Sequence, residues 1–434
     1  MNKVLIFVFL LLTSTNCSFD NKTGIWTKDT EISTNEKKQS QLLFKSPQIN
    51  NKEFNPDLLV SMPITINYDE KKTYENNDVG IQNIKNKIKI ISKYNFSKIK
   101  NFNNFDHNLV FYKNDVIFFD KSGTIFKIDN ESKVLWKNNV YSKNDKKLNP
   151  ILNFSIKDKT LIVTDNLSKY YAINIITGKV LWVKTHITNF ISQIKIDDNQ
   201  VYIFDANNTL NSFSLIDGSE KWNFQTDRDF IKSQKKTSIV FDNENVYFNN
   251  TNGDVYSLDK KNGNLIWVTS TKKNENINQT FLTNYSELVL NENEIYISDN
   301  QNNFFSLDVR NGFIKWSQNI SSDLRPIIYK DIIFTISAEG FLFLVDKING
   351  NIIRVNDLFK DFNLKQRKKL YPKGFVMNNE NIFLTINNGI VLIIKISTGK
   401  LISILKVSRD EISKPLINNQ FMYIVKDNQI IKLF

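Results

Sequence analysis

The sequence predicts an all-β protein: an eight-bladed β-propeller of four-stranded antiparallel blades, closed by an N-terminal strand that joins the last blade. Three observations predict it. A phrase of two short strands around a tight turn occurs seven times. Its period is about 40–50 residues, the length of a propeller blade. The two ends of the chain carry complementary fractions of one further blade.

The clearest copy is Asn252–Val268, NGDVYSLDKKNGNLIWV. Asp254–Leu258 and Asn264–Val268 alternate apolar and polar residues as half-buried strands do. The turn between them ends on Gly263, where a positive φ carries no steric penalty, and Trp267 follows four residues later. Four more copies end on Trp136, Trp182, Trp222 and Trp316, and two degenerate copies end on Arg354 and Ser403. The turn glycine precedes the terminal residue by four in Gly178, Gly218, Gly263, Gly312, Gly350 and Gly399; the first copy has Ser132 instead. The five tryptophans fall on the outermost strand and are read as structural wedges against the neighbouring blade, each covering roughly 150–250 Å². Arg354 and Ser403 interrupt that series, so the seam between the sixth and seventh blades is expected to be looser.

The remaining strands complete the ring. In the fourth blade the expected order is Ser238–Phe241, Val246–Asn249, Asp254–Leu258 and Asn264–Val268. At the C-terminus, Pro415–Asn418, Phe421–Lys426 and Gln429–Phe434 give three strands without a fourth. A strand near Lys87–Ser92 supplies it, which leaves no open edge between first and last blades.

The composition, 41% hydrophobic and 24% charged, is that of a globular chain. A formal charge of +12 permits anionic partners and selects none. Residues 1–17 read as a lipoprotein signal peptide: Lys3, the apolar run Val4–Leu12, then Cys17, the lone cysteine. Nine apolar residues are too few to span a bilayer. Cys17 is the expected lipidation site, although Ser14 and Asn16 depart from the usual residues. Residues 18–83 read as a flexible tether with one docked piece near Phe54–Pro63, and residues 84–434 as the propeller; Trp26 falls in the tether.

Little here points to catalysis. His107 and His186 lie far apart in the repeat frame and have no Ser or Cys partner nearby. No CxxC, HExxH or phosphate loop occurs. Asp197, Asp198, Asp217, Asp242 and Asp259 sit in turns, where such residues bond their own backbone. The basic runs Lys143–Lys147 and Lys365–Lys369 read either as solvated loops or as contacts with an acidic partner or anionic membrane surface.

The cadence Gly … Ser-Leu-Asp … Gly-x-x-x-Trp resembles the PQQ-type propeller repeat. With the closure, the length and Cys17, residues Ile84–Phe434 resemble the BamB-like family of outer-membrane β-barrel assembly lipoproteins. The resemblance implies a non-enzymatic scaffold without cofactor, a monomer within a multiprotein complex. It would be lipid-anchored in the outer membrane and face the periplasm. It would bind the POTRA domains of the barrel-forming subunit, aid insertion of outer-membrane proteins and have no nucleic-acid partner. The family's contact loop between the third and fourth repeats falls on Asp227–Lys236. Ile231 matches an apolar contact position, whereas Ser233 and Gln234 stand where the family has leucine and arginine. An acidic pair from the following loop is not evident near Leu282–Ser286. One reading makes Phe230 and Ile231 apolar anchors, with Lys232, Gln234, Lys235 and Lys236 as a polar rim; the other makes Phe230 and Ile231 the start of the next blade. Two further functions stay open. One is a quinoprotein dehydrogenase, whose family holds quinone and calcium in the central channel and commonly has a vicinal disulfide that a single cysteine cannot make. The other is an envelope propeller that binds another protein or a glycan.

Overall fold

The computed structural model describes residues 52–61, 74–100, 102, 107, 109–227, 237–271 and 283–434. The signal segment, Cys17 and Trp26 lie outside them. Eight four-stranded antiparallel sheets form the blades. Blade four runs Ile239–Phe241, Asn245–Asn249, Val255–Asp259 and Leu265–Thr269 from inside to outside, one residue from the expected bounds at several ends. The eighth sheet orders Ile90–Asn95 outside Gln429–Leu433, Phe421–Lys426 and Leu416–Asn418. Its first strand therefore begins three residues later than the expected Lys87–Ser92. It starts where Lys89 exchanges both backbone hydrogen bonds with Phe434 (3.0 and 2.9 Å).

A feature of register recurs in blades one to seven. The third and outermost strands slip by one residue beside the phrase-ending position, as at Ser257↔Trp267 followed by Leu258↔Leu265. The same slip adjoins Trp136, Trp182, Trp222, Trp316, Arg354 and Ser403. Such a bulge adds twist and re-aims the side chain beside it. Here it turns the tryptophan toward the next blade. The indole Nε1 of Trp222 donates to the Lys260 carbonyl (3.1 Å), and that of Trp267 to Val309 (2.8 Å). Trp136, Trp182 and Trp316 make the equivalent bond to Ile175, Leu215 and Lys347.

The apolar core lies between blades. Tyr247, Val255 and Trp267 of blade four pack with Leu288, Ile295 and Phe305 of blade five. The seam of blades six and seven corrects the expectation of looseness. One continuous cluster runs from Phe334 and Leu344 through Phe375, Leu384 and Leu392, and Val60, Val79 and Ile81 join it from the N-terminal stretch. Arg354 is fully buried there, and its Nη2 donates to the Ile396 carbonyl (2.7 Å), the position that takes an indole N–H at the five tryptophan-bearing seams. Ser403 is exposed; beside it Ile84, Ile88, Val407 and Ile412 fill the seam of blades seven and eight.

Candidate functional site

Antiparallel blades give the ring two unlike faces. One face carries the turns between first and second strands and between third and fourth. The other carries the second-to-third turns and every crossover from an outermost strand to the next innermost one. Residues 74–89, of which 74–83 belong to the expected tether, pack along the innermost strands. They reach both the first-to-second turn side at Asn291 and Asn378 and the crossover side at Gln193 and Ser238. Tyr74 bonds Ser155 (3.0 Å), and its hydroxyl accepts from the Ile196 amide (2.7 Å). The Asn77 amide nitrogen reaches Gln193, Ser238 and the Leu288 carbonyl (3.2, 3.1 and 2.9 Å). Asp78 accepts from Asn291 (2.8 Å), and Asn86 from Asn378 (2.7 Å). This stretch therefore bonds residues in or flanking the innermost strands of blades two, three, four, five and seven. Lys195 is buried against it, donating to Asn77 Oδ1 (2.8 Å) and to the Tyr74 carbonyl. Desolvation drives its pKa down to about 7.

The crossover side of the axis is charged. Glu287, Arg325 and Lys414 each stand two residues before an innermost strand, and Lys373 occupies the matching register in blade seven. The four line one cavity of about 60 Å³ with Asp323 and Phe375. Glu287 takes Lys414 (2.6 Å) and Arg325 (3.2 Å), while Lys373 pairs with Glu411 (2.7 Å) and Tyr371 donates to Asp323 (2.5 Å). Burial alone would raise the Glu287 pKa, but Lys414, Arg325 and Lys195 outweigh it and hold the carboxyl well below the usual range. A carboxylate so firmly ionised is a poor proton donor or acceptor near neutral pH. The cluster can orient a polar group. Sequence reasoning missed it, although a charged residue at one register position in four successive blades was a legible signal.

The sequence-selected residues separate cleanly. Phe230, Ile231, Lys232, Gln234 and Lys235 fall in 228–236, outside the described residues. The ends of that loop are fastened on the crossover side. Thr226 donates to the Asn208 carbonyl through its amide (2.9 Å) and hydroxyl (3.1 Å), and the Thr237 amide donates to Ile191 (3.0 Å). Beyond Leu282–Ser286 the next residue is Glu287, a single carboxylate turned into the axial cluster. His107 stacks on Phe102 at 4.0 Å, and His186 bonds Asp205 at 2.9 Å; neither contact brings a nucleophile into a triad. Asp217, Asp242 and Asp259 cap the amides of their own turns. Lys143–Lys147 and Leu364–Arg367 are short capped helices in crossovers. Among the described residues, no group of three His, Cys, Asp or Glu side chains could hold a metal ion.

The bulged repeat, the indole-to-turn seams and the eight-sheet ring define a PQQ-repeat β-propeller. Residues 121–356, more than half of the chain, match the family described as "Outer membrane protein assembly factor BamB". The chain belongs to that family. Its fold is similar to that of BamB from Moraxella catarrhalis (TM-score 0.66, 14% identity, covering 80% of this chain and 99% of that one). It is also similar to the computationally designed Ika8 protein (TM-score 0.60, 13% identity, 78% and 99% covered). A third likeness is to quinohemoprotein alcohol dehydrogenase from Comamonas testosteroni (TM-score 0.60, 9% identity, 82% and 78% covered). No curated protein sequence matches this chain.

Proposed function

We propose that this chain is a non-enzymatic scaffold of outer-membrane β-barrel assembly. It is exported by residues 1–17, lipid-anchored through Cys17 in the outer membrane and held facing the periplasm. Its crossover loops, with Phe230 and Ile231 as anchors and Lys232, Gln234 and Lys235 at the rim, bind the POTRA domains of the barrel-forming subunit and so aid insertion of outer-membrane proteins. The observation that carries the reading is the family match across residues 121–356. The fastened ends of the 228–236 loop support it, because anchored flanks present a loop at low entropic cost.

The likeness to a quinohemoprotein alcohol dehydrogenase raises a quinone enzyme as the second reading. The axial residues do not fit such a group. The cavity is about 60 Å³, against roughly 300 Å³ or more for sites that take drug-sized ligands. Beside the cavity, Asn77 and Lys195 already occupy the interior.

The test is affinity purification of the full-length protein from its own envelope in mild detergent, with mass spectrometry of co-purifying proteins. Recovery of a POTRA-bearing barrel protein, lost in Ile231→Asp at unchanged melting temperature, supports the scaffold. Recovery of only a different envelope protein, a glycan or a quinone overturns it. Cys17→Ser is expected to leave membranes; retention on salt-washed membranes would remove the lipid anchor.

A further inference from the structure

The seam of blades six and seven is unlike the tryptophan-bearing seams because a third segment enters it. Arg354 stands where they have tryptophan, and its guanidinium divides its donors. Two bonds go to the turn of blade seven, at Ile396 and Ser397 (both 2.7 Å), and one goes to the Leu58 carbonyl (2.9 Å). Two residues on, the Asn356 amide nitrogen donates to the Pro56 carbonyl (3.2 Å). Phe54 and Val355 exchange both backbone bonds (3.1 and 2.8 Å), so residue 54 pairs with the outer edge of blade six. The Val60 amide donates to the Ser397 carbonyl (3.0 Å), and its side chain enters the core.

These contacts share a chemistry. The bonds at Phe54, Pro56, Leu58 and Val60 all use main-chain groups of the segment. Phe54, Leu58 and Leu59 keep much of their side chains in solvent, at 49%, 43% and 73% exposure. Recognition of alternate main-chain groups, with one buried apolar side chain, is how a sheet edge takes up a peptide. With the segment in place the Arg354 guanidinium is fully buried and the Leu58 carbonyl is one of its three acceptors, so removing the segment takes away an acceptor and opens the seam to water. The groove thus meets the segment with a buried donor at Leu58, a strand edge at Phe54 and an apolar site at Val60. This argument is independent of the assembly role proposed above.

We propose that the seam between blades six and seven is a peptide-binding groove whose resident ligand is residues 52–60, and that a peptide of that sequence supplied in trans exchanges with it. The ligand class is a short peptide that offers main-chain groups at alternate residues, polar side chains at the Glu53 and Asn55 positions and an apolar side chain at the Val60 position. Any partner peptide reaches Arg354 only by displacing the chain's own segment.

The experiment uses the full chain with a specific protease site inserted between residues 62 and 73, cut after folding. The N-terminal fragment is expected to co-elute with the propeller on gel filtration. A fluorescent synthetic peptide of residues 51–61 is expected to replace it, as read by anisotropy. The same peptide N-methylated at Phe54 lacks the N–H that meets Val355 and should bind about tenfold more weakly, the worth of one hydrogen bond. The Leu59→Ala peptide should bind as the parent does. Arg354→Leu provides the protein-side control. Release of the fragment from a cut protein with unchanged melting, with no uptake of the peptide, would overturn the proposal. So would equal binding of the N-methylated peptide, which needs no Arg354 variant to fold.

Discussion

Trp316 of blade five lies on Gly350 of blade six, so closely that a Cβ on that glycine would stand 2.5 Å from the indole Cδ2. The indole N–H reaches past it to the Lys347 carbonyl at 2.9 Å. Trp136, Trp182, Trp222 and Trp267 stand over Gly178, Gly218, Gly263 and Gly312 in the same way. The glycine thus serves two demands, a positive φ in the turn and room for the tryptophan of the preceding blade. Ser132 isolates them. Its φ is +69°, but the blade before it is the closing eighth, whose outer strand Ile90–Asn95 contains no tryptophan.

Substitution at these turns should reflect that division. Gly263→Ala, whose Cβ would meet Trp222 at 2.5 Å, is expected to cost about 2–4 kcal/mol from φ strain plus overpacking. Ser132→Gly should change stability by less than about 1 kcal/mol, in the stabilising direction. Urea unfolding of both variants measures the difference; equal effects would reduce the glycine to a turn residue.

Trp267→Ala removes a buried indole and its bond to Val309, at an expected cost of about 3–5 kcal/mol. Hydrogen exchange should place the loss at the amides of blades four and five. A uniform loss around the ring would show that the seams do not open independently.

Arg354→Leu strands the carbonyls of Leu58, Ile396 and Ser397 in a buried site. A loss of about 3 kcal/mol or more is expected, with faster exchange at the Phe54 and Val60 amides. Burial brings the Arg354 pKa down to about 10, so the charge is present throughout the neutral range. Wild-type stability in Arg354→Leu would make the guanidinium incidental to the seam.

Lys195 gives a pH dependence of definite sign. Its folded pKa is about 7 against an ordinary 10.5. Between those values the unfolded chain binds more protons, so stability rises as pH increases through that window. Lys195→Met should flatten the curve of unfolding free energy between pH 7 and about pH 9.5, measured in urea. Glu287 has its own window at lower pH: its carboxyl is lowered from 4.5, so its contribution is present above that pH and fades as acid is added. An unchanged slope in Lys195→Met would place the titration elsewhere.

The ring was legible because each blade repeats one local code. Alternation along Val255–Asp259, the turn at Gly263 and the Trp267 position are set within seventeen residues, and near-neighbour sterics make them readable. The single charged register position shared by Glu287, Arg325, Lys373 and Lys414 was also present in the sequence. Its meaning depended on the radial arrangement, which brings residues 127 positions apart into one ion pair.

By itself the sequence determined the blade count, the strand order and the place of each tryptophan, since hydrophobic period and turn stereochemistry act over a few residues. Only the tertiary structure decided why six turns need glycine and one does not, because that depends on the neighbour across a seam. It also decided what Arg354 does. The sequence marks the residue as a break in the series, whereas the fold delivers Leu58, 296 residues away in the chain, to the donor that a tryptophan does not have. Long-range hydrogen bonds of a buried cation follow from where the chain passes, and no local pattern encodes that path.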